Sequence, residues 1–181
     1  MEHVMERTGT TAAYKVKMLV MTALFIALGY VATTVLMVPS PTGGYMNLGD
    51  TVVLLGAYLL GPVYGAVAGG AGPALADLLG GYGIYVPATL VIKALMGLTA
   101  AVLYQALHKK GWVLVVCGVV AEAIMVVGYA LFDGFLAGNL AVGLTGIPSN
   151  LVQAAFGLAA STLLALALRK SSYVRKQFPR L

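Results

Sequence analysis

Of 181 residues, 60% are apolar and only 9% are charged, and the mean hydropathy is +0.93. A soluble domain needs roughly a quarter of its residues charged, so the composition excludes a water-soluble globule and describes an all-α integral membrane protein. The net charge of +5 sits in basic clusters that lack the aromatic and motif context of a nucleic-acid site; it fits attraction to anionic lipid on the inner leaflet of a bilayer.

The first apolar run, Met18–Val38, is about 20 residues, enough to cross roughly 30 Å of hydrocarbon. It is longer than the h-region of a cleaved signal peptide and reads as a retained span. The segment "VPSPTGGYMN" (Val38–Asn47) follows. It is stiff at Pro39 and Pro41 and free to hinge at Gly43 and Gly44. With Tyr45 and Met46 on it, this loop is either a lid over a pocket or a plain connector.

Leu48–Leu79 is about 32 residues, too long for one span and short for two. A break at Gly61-Pro62 resolves it, because Pro62 suits the first turn of a new helix and disfavours a helical Gly61. Within it, Gly61, Gly65 and Gly69 recur at i, i+4, i+8, a ridge that lets another helix approach closely, from this chain or from another subunit. The remaining runs are Pro87–Leu107, Trp112–Asp133 and Pro148–Leu168. Six helices place Arg7, Lys15, Lys17, Lys109, Lys110, Arg169, Lys170, Arg175, Lys176 and Arg180 all on the cytoplasmic side; five would put the last seven outside. The positive-inside rule chooses six. The sequence thus predicts one domain, 1–181, of six transmembrane helices with a short second helix. Both termini are then cytoplasmic, with tails 1–17 and 170–181.

In that topology the polar residues within the spans converge on the outer half. Asn47 and Asp50 open the second helix and Asp77 ends the third. Lys93 lies about 9 Å into the fourth. Glu122, Tyr129 and Asp133 form one stripe up the fifth, and Asn150 and Gln153 share a face at the start of the sixth. Ionisable residues inside a bilayer usually face a protein interior or a water-filled cavity, and the inner halves are almost purely apolar. The pattern describes a pocket open outward and closed inward. Each residue also has a scaffold role open to it. Asp50 can cap the second helix, and Asp77 can form an ion pair with Lys93. Asn150 can be a first-turn residue, Glu122 a protonated and hydrogen-bonded acid, and Tyr45, Tyr82 and Tyr85 interfacial aromatics.

"TALFIALG", "NLGDTVVLLGAYLLGPVYGAVAGGAGPALADLL" and "YVPATLVIKALMGL" together resemble the substrate-binding S components of energy-coupling factor (ECF) vitamin transporters. The resemblance covers Met21 to Tyr104 and is strongest to the group that includes riboflavin, pyridoxine and hydroxymethylpyrimidine S components. It implies capture of a vitamin from outside a prokaryotic cell. Delivery inward then follows association with a membrane coupling subunit and two cytoplasmic ATPases. The resemblance makes Ala23 and Ala27 the docking face for the coupling subunit and Pro39–Asn47, with Gly43, Gly44 and Tyr45, the gate. It makes Asn150 and Gln153 ligand contacts. Gln153 stands where some members carry Lys, which weighs against a riboflavin-like pocket.

Candidate substrate contacts are therefore Asn47, Asp50, Asp77, Tyr82, Tyr85, Lys93, Glu122, Tyr129, Asn150 and Gln153. The favoured ligand is of pyridoxine or hydroxymethylpyrimidine size. A self-sufficient secondary transporter or channel is the alternative, but it needs polar groups connecting both sides. No catalytic role is expected, since the only histidines are His3 and His108 and there is no Ser/His pair, metal-ligand cluster or nucleotide loop. No cofactor or metal is expected either. Transport energy must then come from partners.

Overall fold

The computed structural model describes residues 2–107, 111–178 and Leu181, with side chains from residue 12 onward. His108, Lys109, Lys110 and Arg180 lie outside the described residues, as do the side chains of His3 and Arg7. Among the described residues there are eight α-helices: α1 (Glu2–Val35), α2 (Gly49–Leu60), α3 (Pro62–Leu79), α4 (Val86–Ala106), α5 (Gly111–Leu136), α6 (Leu140–Leu144), α7 (Ile147–Lys170) and α8 (Ser172–Gln177). Four segments, Ala12–Val35, Gly83–Ala106, Gly111–Leu136 and Leu140–Lys170, are long and apolar enough to cross a membrane.

The break expected inside Leu48–Leu79 falls at Gly61. Its φ of +85° is a backbone state that glycine adopts without steric cost, and Pro62 opens α3. The Gly61 N–H closes α2 on the Ala57 carbonyl at 3.1 Å. Between α1 and α2 the structure differs from a featureless loop. Val38–Pro39 (β1) and Tyr45–Met46 (β2) pair antiparallel, Val38 opposite Met46, and Gly43 supplies the positive φ of +93° at the tip. No proline interrupts Glu2–Lys17, and α1 starts well before the apolar run. The unforeseen α6 is capped by Asn139, whose Oδ1 accepts the Ala141 N–H at 3.0 Å.

α2 lies at the centre, packed against α1, α3, α4 and α7. Leu54, Tyr58 and Leu60 are wholly buried. Tyr58 donates to the Leu114 carbonyl at 2.9 Å, and its ring meets that of Tyr104 at 5.0 Å. Twelve residues make only about 18 Å of helix, so α2 leaves part of a 30 Å hydrocarbon thickness unfilled above its first turn. The β1–β2 hairpin and a cavity occupy that end. At the opposite end Lys17 donates to the Gln177 side-chain oxygen at 2.7 Å, and Arg169 bonds the Tyr104 hydroxyl. Lys15, Lys17, Arg169, Lys170, Arg175 and Lys176 thus sit toward the end of the bundle far from the hairpin.

The glycines of α3 serve neighbours in the same chain rather than another subunit. A Cβ on Gly65 would lie 2.8 Å from the Ala57 Cα of α2. One on Gly69 would meet Val53 at 2.9 Å, one on Gly70 the Leu90 carbonyl of α4 at 2.7 Å, and one on Gly72 the Ile26 carbonyl of α1 at 2.8 Å. One helix therefore touches three others almost backbone to backbone, the small-residue packing that substitutes for a hydrophobic drive in lipid. Gly70→Ala should force α3 and α4 apart and cost about 1–3 kcal/mol, read as a lower melting temperature in detergent. Gly83→Ala, with nothing within 4 Å of the added carbon, should leave the melt unchanged.

Candidate functional site

The cavity at the hairpin end is built from helical repeats of polar residues. The 3-10 turn Gly83–Tyr85 leads into α4, so Tyr85, Thr89 and Lys93 fall one turn apart on a single face. α5 adds Tyr129 and Asp133, α3 Pro73 and Asp77, α7 Asn150 and Gln153, and α1 Thr33. The hairpin closes the top with Ser40, Thr42, Gly44, Tyr45 and Asn47. At its core the cavity has about 30 Å³ of room for a water-sized molecule, within about 470 Å³ that also takes in the open mouth. By that measure a water needs roughly 10–15 Å³, so the hairpin sits closed over a space for a few waters.

Lys93 is wholly buried and makes its ion pair with Asp50, not with Asp77, the partner that the scaffold alternative gave it. The reason lies in α2. Its short length ends the helix beneath the cavity and sets Asp50, in its first turn, beside the Lys93 ammonium. The positive end of the helix dipole favours a carboxylate at that position. Asp50 does not cap α2 as the alternative had it: Leu48 is the cap residue and no side chain caps there. The nearby role falls to Asn47, whose Oδ1 accepts the Gly49 N–H at 2.8 Å. The second oxygen of Asp50 accepts from Gln153 Nε2 at 2.7 Å, and Gln153 Oε1 accepts the Asn47 N–H at 2.8 Å. Lys93 also lies 5.5 Å from the centre of the Tyr129 ring, a cation–π distance, and the Tyr129 hydroxyl bonds Thr89 at 2.9 Å.

Asp77 is instead bonded by the hairpin. Tyr45 donates to its Oδ1 at 2.5 Å. Burial first, then this carboxylate, pushes the Tyr45 phenol well above its ordinary value, so it remains a neutral donor. Two further tethers hold the hairpin. Ser40 and Ser149 share a hydrogen bond at 3.1 Å, and Tyr85 donates to the Thr42 carbonyl at 3.3 Å.

Seven of the ten expected contacts line the cavity: Asn47, Asp77, Tyr85, Lys93, Tyr129, Asn150 and Gln153. Three do not. Asp50 lies under the floor. Glu122 lies there too, against Asp50 and Gly157, where a Cβ on Gly157 would be 2.8 Å from Glu122 Oε1; neither of its buried carboxyl oxygens has a hydrogen-bond partner. Tyr82 packs outside, its ring 4.5 Å from that of Tyr45. Of the gate residues, Gly44 and Tyr45 face the cavity while Pro39 and Gly43 shape the hairpin behind it. Thr33, Ser40, Thr42, Pro73, Thr89 and Asp133 also line it without having been singled out as contacts. Thr89, one turn before Lys93, and Asp133, one turn after Tyr129, were legible from helical spacing.

Lys93→Met should strand the buried Asp50 charge and cost about 3–5 kcal/mol, read as a fall in melting temperature in detergent. Adding Asp50→Asn should recover most of it while keeping an acceptor for Gln153. Adding Asp77→Asn instead should recover none, because Asp77 is not the partner.

Comparisons with known proteins agree with this architecture. The family described as "ECF-type riboflavin transporter, S component" matches residues 13–170. An uncharacterized protein from a gap 3' region of Pyrococcus woesei is 38% identical over 100 residues, which are 55% of this chain and 66% of that one. The match thus spans just under two thirds of the curated relative. A crystal structure of the S component for biotin from an ECF-type ABC transporter superposes with a TM-score of 0.60 at 21% identity, over 94% of this chain and 97% of the other; that likeness speaks to the fold. Matched over most of its length, this chain belongs to the S-component family of ECF-type riboflavin transporters, membrane proteins of vitamin uptake rather than enzymes.

Proposed function

We propose that the chain captures a small water-soluble vitamin or vitamin precursor, of pyridoxine or hydroxymethylpyrimidine size, from outside a prokaryotic cell. Delivery inward follows association with an ECF coupling subunit and two cytoplasmic ATPases. One observation carries the reading. Polar side chains from α1, the hairpin, α3, α4, α5 and α7 meet in one cavity at one end. Beneath the cavity, around the Asp50–Lys93 pair and the buried Glu122 carboxyl, the chain is mostly apolar, with Val53, Leu54, Met96 and Met125 fully or almost fully buried. A secondary transporter or channel needs a polar route onward to the other side, and that apolar layer weighs against one.

The proposed topology has six transmembrane helices, α1, α2, α3, α4, α5 and α7, in one domain of residues 1–181. The tails 1–17 and 170–181 are cytoplasmic and the hairpin faces outward. The basic residues at the end opposite the hairpin favour this orientation. Asn47, Asp77, Tyr85, Lys93, Tyr129, Asn150 and Gln153 are the proposed ligand contacts, with Asp50 and Glu122 supporting the floor and Tyr82 supporting the lid. Tyr85 and Tyr129 offer flat surfaces to a small ring, with Phe132 packed 5.5 Å from the Tyr85 ring. The hairpin with Gly43, Gly44 and Tyr45 is the gate, since a vitamin needs far more than the present room beneath it. Ala23 and Ala27 are exposed on α1 amid Leu19, Val20, Leu24 and Leu28, a small-residue face suited to close docking of the coupling subunit.

Mass spectrometry of small molecules co-purifying with the detergent-solubilised protein should find such a vitamin or precursor. Cysteines at Asn47 and Asn150 should react with an impermeant thiol reagent from outside and be protected by that compound; labelling only from the cytoplasmic side overturns both orientation and site. Ala23→Trp or Ala27→Trp should abolish complex assembly and uptake with ligand affinity nearly unchanged. Equal loss of binding would put these alanines in the internal packing instead.

A further inference from the structure

The chain has six acidic residues, and the four beyond its N-terminal segment, Asp50, Asp77, Glu122 and Asp133, all converge on this one cavity or its floor. Against them stands one cation. Among the described residues Lys93 is the only basic one lining the cavity, and its ammonium is already engaged by Asp50. Lys93 is therefore not an open counter-ion for an incoming anion. A carboxylate ligand would meet a compensated lysine and the carboxyls of Asp77 and Asp133, in surroundings of low dielectric where like-charge approach is costly.

The demand for a ligand group is most specific at Asp133. This residue is 5% exposed and lines the cavity, yet its Oδ1 is buried with no hydrogen-bond partner. The oxygens of the other lining carboxyl and of Asp50 are differently placed: Asp77 accepts from Tyr45, and Asp50 accepts from Lys93 and Gln153. A buried acceptor left unpaired costs the full desolvation of that group. Asp133 is held at the junction of three elements, 3.4 Å from where a Cβ on Gly146 would stand, with Thr42 of the hairpin against the same glycine. The Tyr85 hydroxyl lies beside the same carboxyl, so Asp133 is an acceptor fixed in the cavity lining with one oxygen, Oδ1, still without a donor.

We infer that the cavity selects a ligand bearing an N–H donor, an exocyclic amino group or protonated amine on a small ring, anchored on Asp133 Oδ1, and that it discriminates against carboxylate ligands. The inference rests on the capture reading above and adds to it the ligand's charge class and an anchoring residue.

The test is equilibrium binding to the full-length protein in detergent with three groups of probes. Pyridoxamine and 4-amino-5-hydroxymethyl-2-methylpyrimidine bear amino groups, pyridoxine and riboflavin are neutral, and 4-pyridoxic acid and biotin are carboxylates. The tightest binder should come from the amino group, with the carboxylates at least about 100-fold weaker. Pyridoxamine against 4-pyridoxic acid is the sharpest comparison, since one substituent on one ring changes. Asp133→Asn, which keeps the shape and loses the charge, should weaken the amino ligand about 10- to 100-fold and narrow its margin over the carboxylates. A carboxylate or neutral probe binding tightest, with Asp133→Asn without effect on it, overturns the charge selection and leaves vitamin capture standing. Binding by none of the three groups overturns capture itself and this inference with it. The ranking on the unmodified protein decides the charge class even where the variant does not fold.

Discussion

The buried pair between Asp50 and Lys93 is where the fold and the cavity meet. An ammonium and a carboxylate taken out of water each carry a desolvation penalty of several kcal/mol, so the pair is tolerable only with its remaining valences satisfied. Gln153 donates to the free oxygen of Asp50, and the Tyr129 ring faces Lys93. These contacts come from α4, α5 and α7 onto the first turn of α2, tying four helices at one depth. Gln153 then uses its other amide end on the backbone of Asn47, the residue that joins hairpin to helix. The floor of the cavity and the foot of its lid are thus one hydrogen-bonded unit. A charged network of this kind fixes which helices meet and in what register.

That unit sits where it does because α2 stops short. A longer second helix would carry its N-terminus to the surface, fill the space now occupied by the cavity, and leave Asp50 in the interface with water. The short helix in turn requires α3 to make close contacts with α1, α2 and α4, since α2 offers little surface of its own. Glycines at 65, 69, 70 and 72 meet that requirement by removing the side chains that would hold those backbones apart. The apparent weakness of the segment as a helix in water, roughly 1 kcal/mol per interior glycine, matters little in a bilayer, where backbone hydrogen bonds have no competing solvent. The glycine-rich run and the buried charge are two consequences of one geometric choice.

Much of this was legible in the residues. Gly61-Pro62 announced the break because one residue is free to take a positive φ and the next is pre-set for a first turn. The depth of Lys93 and the shared face of Asn150 and Gln153 follow from helical rise and period alone. The partner of Lys93 was not legible, because loop length ranks Asp77 above Asp50 and only packing shows that the first turn of α2 lies beneath α4. Spacing placed Glu122 on the stripe with Tyr129, but not below the floor, since a stripe gives direction around a helix and not where a cavity ends. Tyr82 misled for a similar reason. It lies on the right loop, yet its ring covers Tyr45 from outside. The hairpin pairing of Val38 with Met46 escaped notice because two-residue strands carry no alternating pattern.

The hairpin is held by contacts of graded strength, and that grading bears on its proposed role as a lid. Tyr45 to Asp77 is a hydrogen bond to a carboxyl, worth about 1.5–3 kcal/mol if the carboxyl is charged. The Ser40–Ser149 and Tyr85–Thr42 bonds join neutral groups and are worth about 0.5–1.5 kcal/mol each. All three lie on the tip side of the hairpin, while Asn47 at its foot is bound into the charged floor. Breaking the tip contacts costs a few kcal/mol, within reach of thermal opening on the microsecond to millisecond scale of loop motion. Releasing the foot would disturb Gln153 and, through it, the Asp50–Lys93 pair. In the proposed gating the hairpin hinges about Asn47, with Gly43 and Gly44 at the moving end, and a ligand that supplies donors to Asp77 or Asp133 would compete directly with the contacts that keep it shut.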